Sequence, residues 1–316
     1  PVFPLLMFLA ADRLGAPYRE YATNGRVLAE AQLNARELFG LDAITSCSDA
    51  FRISADLGGE MVYPEDKTPY SATPLITGES DLQRLVRPDP ADPKGRMADR
   101  ARATGEMVRA AGEQCLVLGW VDMPFAEACS VCGVAPFMTL MIDQPLLAHR
   151  ILTFLTDIVI DFALLQLETG APMIGAGDAA ASLISAGMFR EFVLPYEQRV
   201  CQAIHAAGGM VKLHICGKTT HLLKDMVRSG ADLFNVDHLV DLQAARLVYE
   251  RTGKCYKGNL DPVRDLLQAD AETCAQAARR CLQTASGSRY MLSAGCEVPD
   301  VVPDDVFRAF CGAALP

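Results

Sequence analysis

Met210-Val211-Lys212-Leu213-His214-Ile215-Cys216-Gly217 decides how this chain folds. An apolar run of strand length, 210–215, follows a helix-like stretch, 188–207, that stops at Gly208-Gly209. The run ends in an imidazole and a thiol two residues apart. Residues two apart on an extended strand end face the same side, so His214 and Cys216 can meet one ion. Farther on, Ser293-Ala294-Gly295-Cys296-Glu297 repeats the arrangement, a strand-like run followed by a thiol. One imidazole and two thiols suit Zn²⁺ in a catalytic rather than a structural site. His-x-Cys is too tight for a zinc finger. Cys296 lies 80 positions after Cys216, so the fold must bring it back. A barrel does that, and a local zinc knuckle does not.

The same punctuation recurs along the chain. Strand-like runs at 43–47, 115–119, 172–176, 233–236, 255–257 and 290–293 each follow a helix-like stretch, most of which end at glycine: near Gly40, at Gly170, Gly230 and Gly253, and near Gly287. The run at 115–119 follows the charged amphipathic stretch 96–111. This helix–glycine–strand order is that of right-handed βα units, and apolar strands of this kind are buried on both faces in a parallel sheet. With these six, 210–215 makes seven strands, and the irregular N-terminal region is expected to hold an eighth. The expected fold is therefore α/β, a (β/α)₈ TIM barrel forming a single domain over residues 1–316, with an open doubly wound sheet as the second choice. The Gly-x-Gly-x-x-Gly that a dinucleotide fold would need after its first strand is missing. Residues 58–95, rich in proline and glycine, are expected to form an excursion packed over the barrel mouth.

Bulk properties narrow the function. The chain of 316 residues is half hydrophobic, enough for one large core, and carries a net charge of −10 from 29 basic and 39 acidic residues. It has no Lys/Arg run and no basic patch interleaved with aromatics, so neither nucleic acid nor an anionic membrane surface is an expected partner. Eleven cysteines are scattered rather than framed, and their number is odd. That pattern fits a reducing, cytoplasmic setting. The apolar residues Pro1–Ala10 lack a charged leader and a cleavage site, so no signal peptide is expected, and the initial proline suggests a start inside a longer chain. The stretch 146–167 is interrupted by His149, Arg150, Asp157 and Asp161 and reads as a long helix with one buried face, not a membrane span.

Polar residues cluster just after the strands: Ser48-Asp49, Gly177-Asp178, His214 to Gly217, Asp237-His238, Gly258-Asn259-Leu260-Asp261 and Gly295-Cys296-Glu297. In a barrel those ends converge on one mouth, where catalysis sits. Each cluster taken alone has a plainer reading. Asp49 or Asp178 can be a helix N-cap, His238 a loop histidine, Gly258-Asn259 a strand-ending turn. His149, His205 and His221 lie in helix-like stretches and read as surface or packing residues. Cys129-x-x-Cys132 matches half of a metal or redox motif but has no second pair, and reads as structural.

At these residues the sequence resembles the uroporphyrinogen decarboxylase superfamily, and within it the zinc-dependent methylcobamide:coenzyme M methyltransferase branch. The resemblance spans essentially the whole chain. It runs from Gly40-Leu-Asp-Ala43 into Cys47-Ser48-Asp49, through Gly177-Asp178, Lys212 to Gly217, Asp237-His238 and Gly258 to Pro262, to Gly295-Cys-Glu-Val-Pro299. Decarboxylases of the superfamily carry an N-terminal arginine-rich motif, which is missing here, and tend to have a histidine where this chain has Cys296. Asp49 matches the decarboxylase's catalytic aspartate. The Gly258-to-Pro262 motif is common to both branches.

The resemblance implies a TIM barrel with its site at the C-terminal mouth. It implies His214, Cys216 and Cys296 as zinc ligands, with Asp237 completing the shell. Asp49, Asp178 and His238 are the catalytic candidates, and Asn259 and Asp261 the cofactor-binding ones. The implied reaction moves a methyl group between a methylcobamide and a thiol acceptor, or from an O-methyl donor to Co(I). Its cofactors would be Zn²⁺ and a cobalamin-type corrinoid. No Asp-x-His-x-x-Gly cobalamin motif is visible, so the expected partner is a corrinoid protein or free methylcobalamin, with a small-molecule methyl donor or acceptor. A homodimer is admitted. The alternative is a metal-free uroporphyrinogen decarboxylase-type carboxy-lyase, with Asp49 binding pyrrole nitrogens.

Overall fold

A computed structural model describes residues 1–314. All seven expected strands form, and they lie side by side and parallel in one curled sheet. The strands in chain order are β1 (Ala43–Thr45), β2 (Met61–Val62), β3 (Tyr70–Ser71), β4 (Leu116–Asp122), β5 (Met173–Gly177), β6 (Met210–His214), β7 (Leu233–Asn235), β8 (Cys255–Leu260) and β9 (Tyr290–Ala294). The sheet order is β1-β4-β5-β6-β7-β8-β9, and β2 and β3 form a separate antiparallel hairpin. Sequential order with every crossover helical puts all C-terminal strand ends on one edge.

The N-terminal region forms isolated bridges rather than an eighth strand. Val2 bridges Leu292 of β9 and Leu5 bridges Glu297 just beyond it. On its other side, the Asp42 N–H donates to the Val2 carbonyl at 3.1 Å, one residue before β1. Residues 1–5 therefore run between the two edge strands. Pro4, between the two bridged residues, has no N–H to give a ladder.

Helices cover the outer face. Pro145–Glu168 is the longest; its buried side includes Ile151, Leu155, Ile158, Val159 and Phe162, the 3–4 spacing of one apolar stripe. Pro145 sits in its first turn, where a missing N–H costs nothing. No single helix among the described residues is long and apolar enough to cross a membrane. The stretch expected as one helix over 188–207 is two, Ala186–Phe192 and Leu194–Ala206. Pro195 explains the break, because its ring and missing N–H cannot sit inside a helix. His221 lies in a turn, not a helix, and its Nε2 meets the Ile184 carbonyl at 3.0 Å.

Strand β5 packs closely on β4. A Cβ at Gly175 would lie 2.5 Å from the Trp120 ring, so the absence of a side chain there makes room for the indole. Within 58–95, the structure builds the small hairpin and the helix Glu79–Arg84. This segment is tied to the helix Pro124–Cys132 by two backbone bonds to the Val131 carbonyl. Ion pairs Arg87–Asp161 and Glu79–Arg150 tie it to the long helix.

Candidate metal centre

His214 is the last residue of β6, paired in register with Gly177 on one side and Asn235 on the other. Two residues on, Cys216 faces the same way. Beyond β9, the chain turns at Gly295 and delivers Cys296 to the same point. Cys216 Sγ lies 2.8 Å from His214 Nε2 and 3.4 Å from Cys296 Sγ, and Cys296 Sγ lies 3.6 Å from His214 Nε2. Among the described residues this is the one group of three or more His, Cys, Asp or Glu side chains close enough to hold a metal ion.

The donor set fits zinc. Tetrahedral bonds of about 2.3 Å to sulfur and about 2.0 Å to nitrogen separate ligand atoms by roughly 3.5–3.8 Å. Two of the three distances lie close to that range, and the third is a hydrogen-bond contact. Burial lowers the pKa of His214, which keeps the imidazole neutral, the form that ligates. The hydrogen bond between the thiols divides their behaviour: it holds Cys296 well below the usual thiol range and, with burial, pushes Cys216 well above it. The pair thus shares one proton. Lys212, two residues before His214, is fully buried with its ammonium 4.5 Å from the Trp120 ring centre and no hydrogen-bond partner among the described residues. Burial draws its pKa down to about 8. Its charge acts on both thiols in the sense that favours thiolate. Neither Lys212 nor the second buried lysine, Lys257, whose Nζ donates to the Phe3 carbonyl at 2.6 Å, was read from sequence as part of the site. Their position in strands flanked by apolar residues was the available signal.

The other expected site residues fall in three places. Asp237, His238, Asn259 and Asp261 gather beside the thiols. Asp237 does not join the metal cluster. Its Oδ2 accepts the Gly217 N–H at 2.8 Å and its Oδ1 the Leu239 N–H at 2.9 Å. His238 stands between two carboxylates, with Nδ1 3.2 Å from Asp237 Oδ1 and Nε2 3.8 Å from Asp261 Oδ2. Asn259 Nδ2 donates to the carbonyls of Asp237 and Val240. Asp261 also caps the turn at Pro262–Leu267, accepting from Val263 and Arg264.

Asp49 lies after β1, buried in a full set of bonds. Arg96 donates to both oxygens (2.9 and 2.7 Å), Ser48 Oγ donates at 2.7 Å and the Phe51 N–H at 3.0 Å. Burial alone would raise its pKa, but the Arg96 guanidinium overrides that and holds the carboxyl well below the usual range. All four acceptor positions of the carboxylate are used. Asp178 is fully buried, and its carboxyl faces that of Glu197 in the helix Leu194–Ala206. Burial first, then the contact between the two acids, raises Glu197, and burial likewise raises Asp178, so the pair keeps a proton. Nearby, burial raises Asp122 to about 6 although Arg52 forms an ion pair with it. Cys129 and Cys132 are free and buried, and burial raises both thiols, Cys132 to about 12.

A curled parallel sheet with its reactive side chains gathered at the C-terminal strand ends is the layout of an α/β enzyme. The chain belongs to the uroporphyrinogen decarboxylase (URO-D) family, whose model matches residues 1–314. It is 27% identical over 288 residues to a uroporphyrinogen decarboxylase of Chlorobaculum parvum, covering 87% of this chain and 80% of that one. It is 30% identical over 194 residues to the methylcobamide:CoM methyltransferase MtbA of Methanosarcina acetivorans, covering 61% of this chain and 56% of that protein. In fold it is similar to a methyltransferase from Methanosarcina mazei, with a TM-score of 0.88 at 23% identity over 99% of this chain and 94% of the other.

Proposed function

We propose that this protein is a zinc-dependent corrinoid methyltransferase. It moves a methyl group between a methylcobamide or corrinoid protein and a thiol-type acceptor, or from an O-methyl donor to Co(I). The observation that carries this reading is the convergence of His214 Nε2, Cys216 Sγ and Cys296 Sγ, which all lie within 4.8 Å of one another. Closure of the curled sheet by residues 1–5 into a full (β/α)₈ barrel would place that cluster at its mouth.

A zinc ion held there would let a substrate thiol ionise at neutral pH while leaving it nucleophilic. The chain's own residues do the rest. His214 would ligate as a neutral imidazole. Cys216 and Cys296 would ligate as thiolates, and two sulfur donors would keep a bound zinc electron-rich, which would suit an attacking sulfur better than a polarised water. Buried Lys212 offsets the negative charge that accumulates at the thiolates. His238 Nε2, next to Asp261, would take the proton that the substrate thiol releases, with the Asp237 carboxylate 3.2 Å from Nδ1 at the other edge of the ring. Asn259 fixes the turn that carries both. Asp49, with its acceptors filled, and Asp178, paired with Glu197, hold the scaffold in this reading. Residues 58–95 would form part of the surface on which the corrinoid partner docks.

A second reading, a metal-free decarboxylase, is favoured by the full-length similarity to proteins of that name. Against it, pyrrole nitrogens would have to displace Arg96 from Asp49. The test incubates zinc-loaded protein with methylcobalamin and a panel of thiols under anaerobic conditions and follows corrin absorbance. Thiol-dependent loss of methylcobalamin that disappears on chelation supports methyl transfer. No demethylation, together with conversion of uroporphyrinogen by the chelated protein, would replace it with the decarboxylase reading.

A further inference from the structure

Strand β7 carries no ligand of the cluster, yet its end touches both thiol loops. Asn235, its last residue, is buried, and its Nδ2 donates to the Gly295 carbonyl at 2.9 Å. Gly295 immediately precedes Cys296. A carbonyl can only accept, so the amide must present its nitrogen there. Two residues on, buried Asp237 accepts the N–H of Gly217, which immediately follows Cys216, at 2.8 Å. Its second oxygen closes the turn on Leu239, and Asn259 pins the Asp237 and Val240 carbonyls from β8. The backbone of Gly295 packs against the same turn: a Cβ there would lie 2.4 Å from the His238 nitrogen. The two cysteines come from loops 80 residues apart, and β8 lies between β7 and β9 in the sheet. One turn, 235–240, bonds the residue after one thiol and the residue before the other.

We infer that Asn235 and Asp237 are positioning residues that set the Cys216–Cys296 separation, and so tune how tightly the site holds its metal. The inference rests on the zinc reading and gives Asp237 a role outside the ligand shell. A carboxylate whose two oxygens hold backbone N–H groups orients a ligand loop without binding the ion. Partners of this kind change metal affinity by about 10–100-fold when removed.

The test compares wild type, Asn235→Ala, Asp237→Ala and Asp237→Asn, the last keeping one acceptor for the Gly217 N–H. Zinc affinity is read by competition with a chromophoric chelator, and the Co²⁺-substituted proteins by their sulfur-to-cobalt charge-transfer absorption. Thermal unfolding of the metal-free proteins controls for folding. The alanine variants should bind zinc about 10–100-fold more weakly, with shifted cobalt bands and metal-free unfolding within a few degrees of wild type, and Asp237→Asn should recover most of the affinity. Should an alanine variant fail to fold, Asp237→Asn and Asn235→Ser carry the same comparison with smaller expected shifts. Wild-type affinity and cobalt spectra in the folded variants overturn the positioning role and leave the zinc reading intact. A wild type that takes up neither zinc nor cobalt overturns both.

Discussion

Replacing Gly295 with alanine adds one methyl group at the tightest point of the candidate centre. The new Cβ would lie 2.4 Å from the His238 nitrogen, 3.0 Å from the Asp237 carbonyl carbon and 3.2 Å from its Cα. All three are backbone atoms of a turn already held by Asn259 and by the Gly217 N–H, so no side chain can swing aside. Reaching ordinary contact requires the loops to part by about 1 Å, and overpacking of this kind costs about 1–3 kcal/mol. A metal site tolerates ligand displacements of only about 0.2 Å. Cys296 is the next residue, so most of the shift reaches its sulfur. Zinc affinity should fall at least about tenfold, or about 1.4 kcal/mol, and the melting temperature of the metal-free protein should drop by several degrees. Chelator competition and circular dichroism read the two effects separately. A Gly295→Ala protein with wild-type zinc affinity and unchanged melting would refute the close approach and the argument that this turn sets the thiol geometry.

Other outcomes follow from the same structure. Arg96→Met should destabilise the protein at neutral pH by about 3–5 kcal/mol, because it leaves a buried carboxylate unpaired. Asp49 has a lowered folded pKa, so its ion pair contributes stability above the unfolded carboxyl value of about 4 and loses it as pH falls. The difference between wild type and Arg96→Met in urea denaturation should therefore shrink in acid; a constant difference would contradict the pairing. Asp178 and Glu197 have the opposite sign: their raised pKa values give stability that is complete below about pH 4 and is lost as pH rises, by up to about 1.4 kcal/mol per pH unit for one proton. In Glu197→Gln an amide N–H can donate to Asp178 in place of the shared proton, so its urea midpoint should fall less between pH 5 and pH 9. Parallel curves for the two proteins would remove the shared proton. Thiol labelling of the metal-free protein should reach half-buried Cys216, Cys255, Cys281 and Cys296 before buried Cys129 and Cys132. Added zinc should slow only Cys216 and Cys296, as mapped by mass spectrometry; equal protection of all four would argue against the cluster as the binding site.

The strands were legible because each is an apolar run after a helix, and local pattern suffices for that. Their ends were less so: the strand expected at 115–119 runs to Asp122 and the one at 255–257 to Leu260, since extension there depends on pairing with neighbours such as Asn259 with Ser293. The break in 188–207 was readable in Pro195. His214, Cys216 and Cys296 were legible because two of them share a strand end and all three are metal-ligating types. The partners that decide what the acidic residues do were not. Arg96 lies 47 positions from Asp49 and Glu197 sits on a helix behind Asp178. Asn235 looks like any strand-ending asparagine until the turn after β9 is folded across β8 to meet it.

The central claim is a zinc centre built from His214, Cys216 and Cys296, and metal content tests it most directly. Protein purified anaerobically and reconstituted with zinc should hold close to one zinc per chain, and Cys296→Ala, folded to the same extent, should lose it. Wild type without bound zinc, or Cys296→Ala with its full complement, would contradict the account.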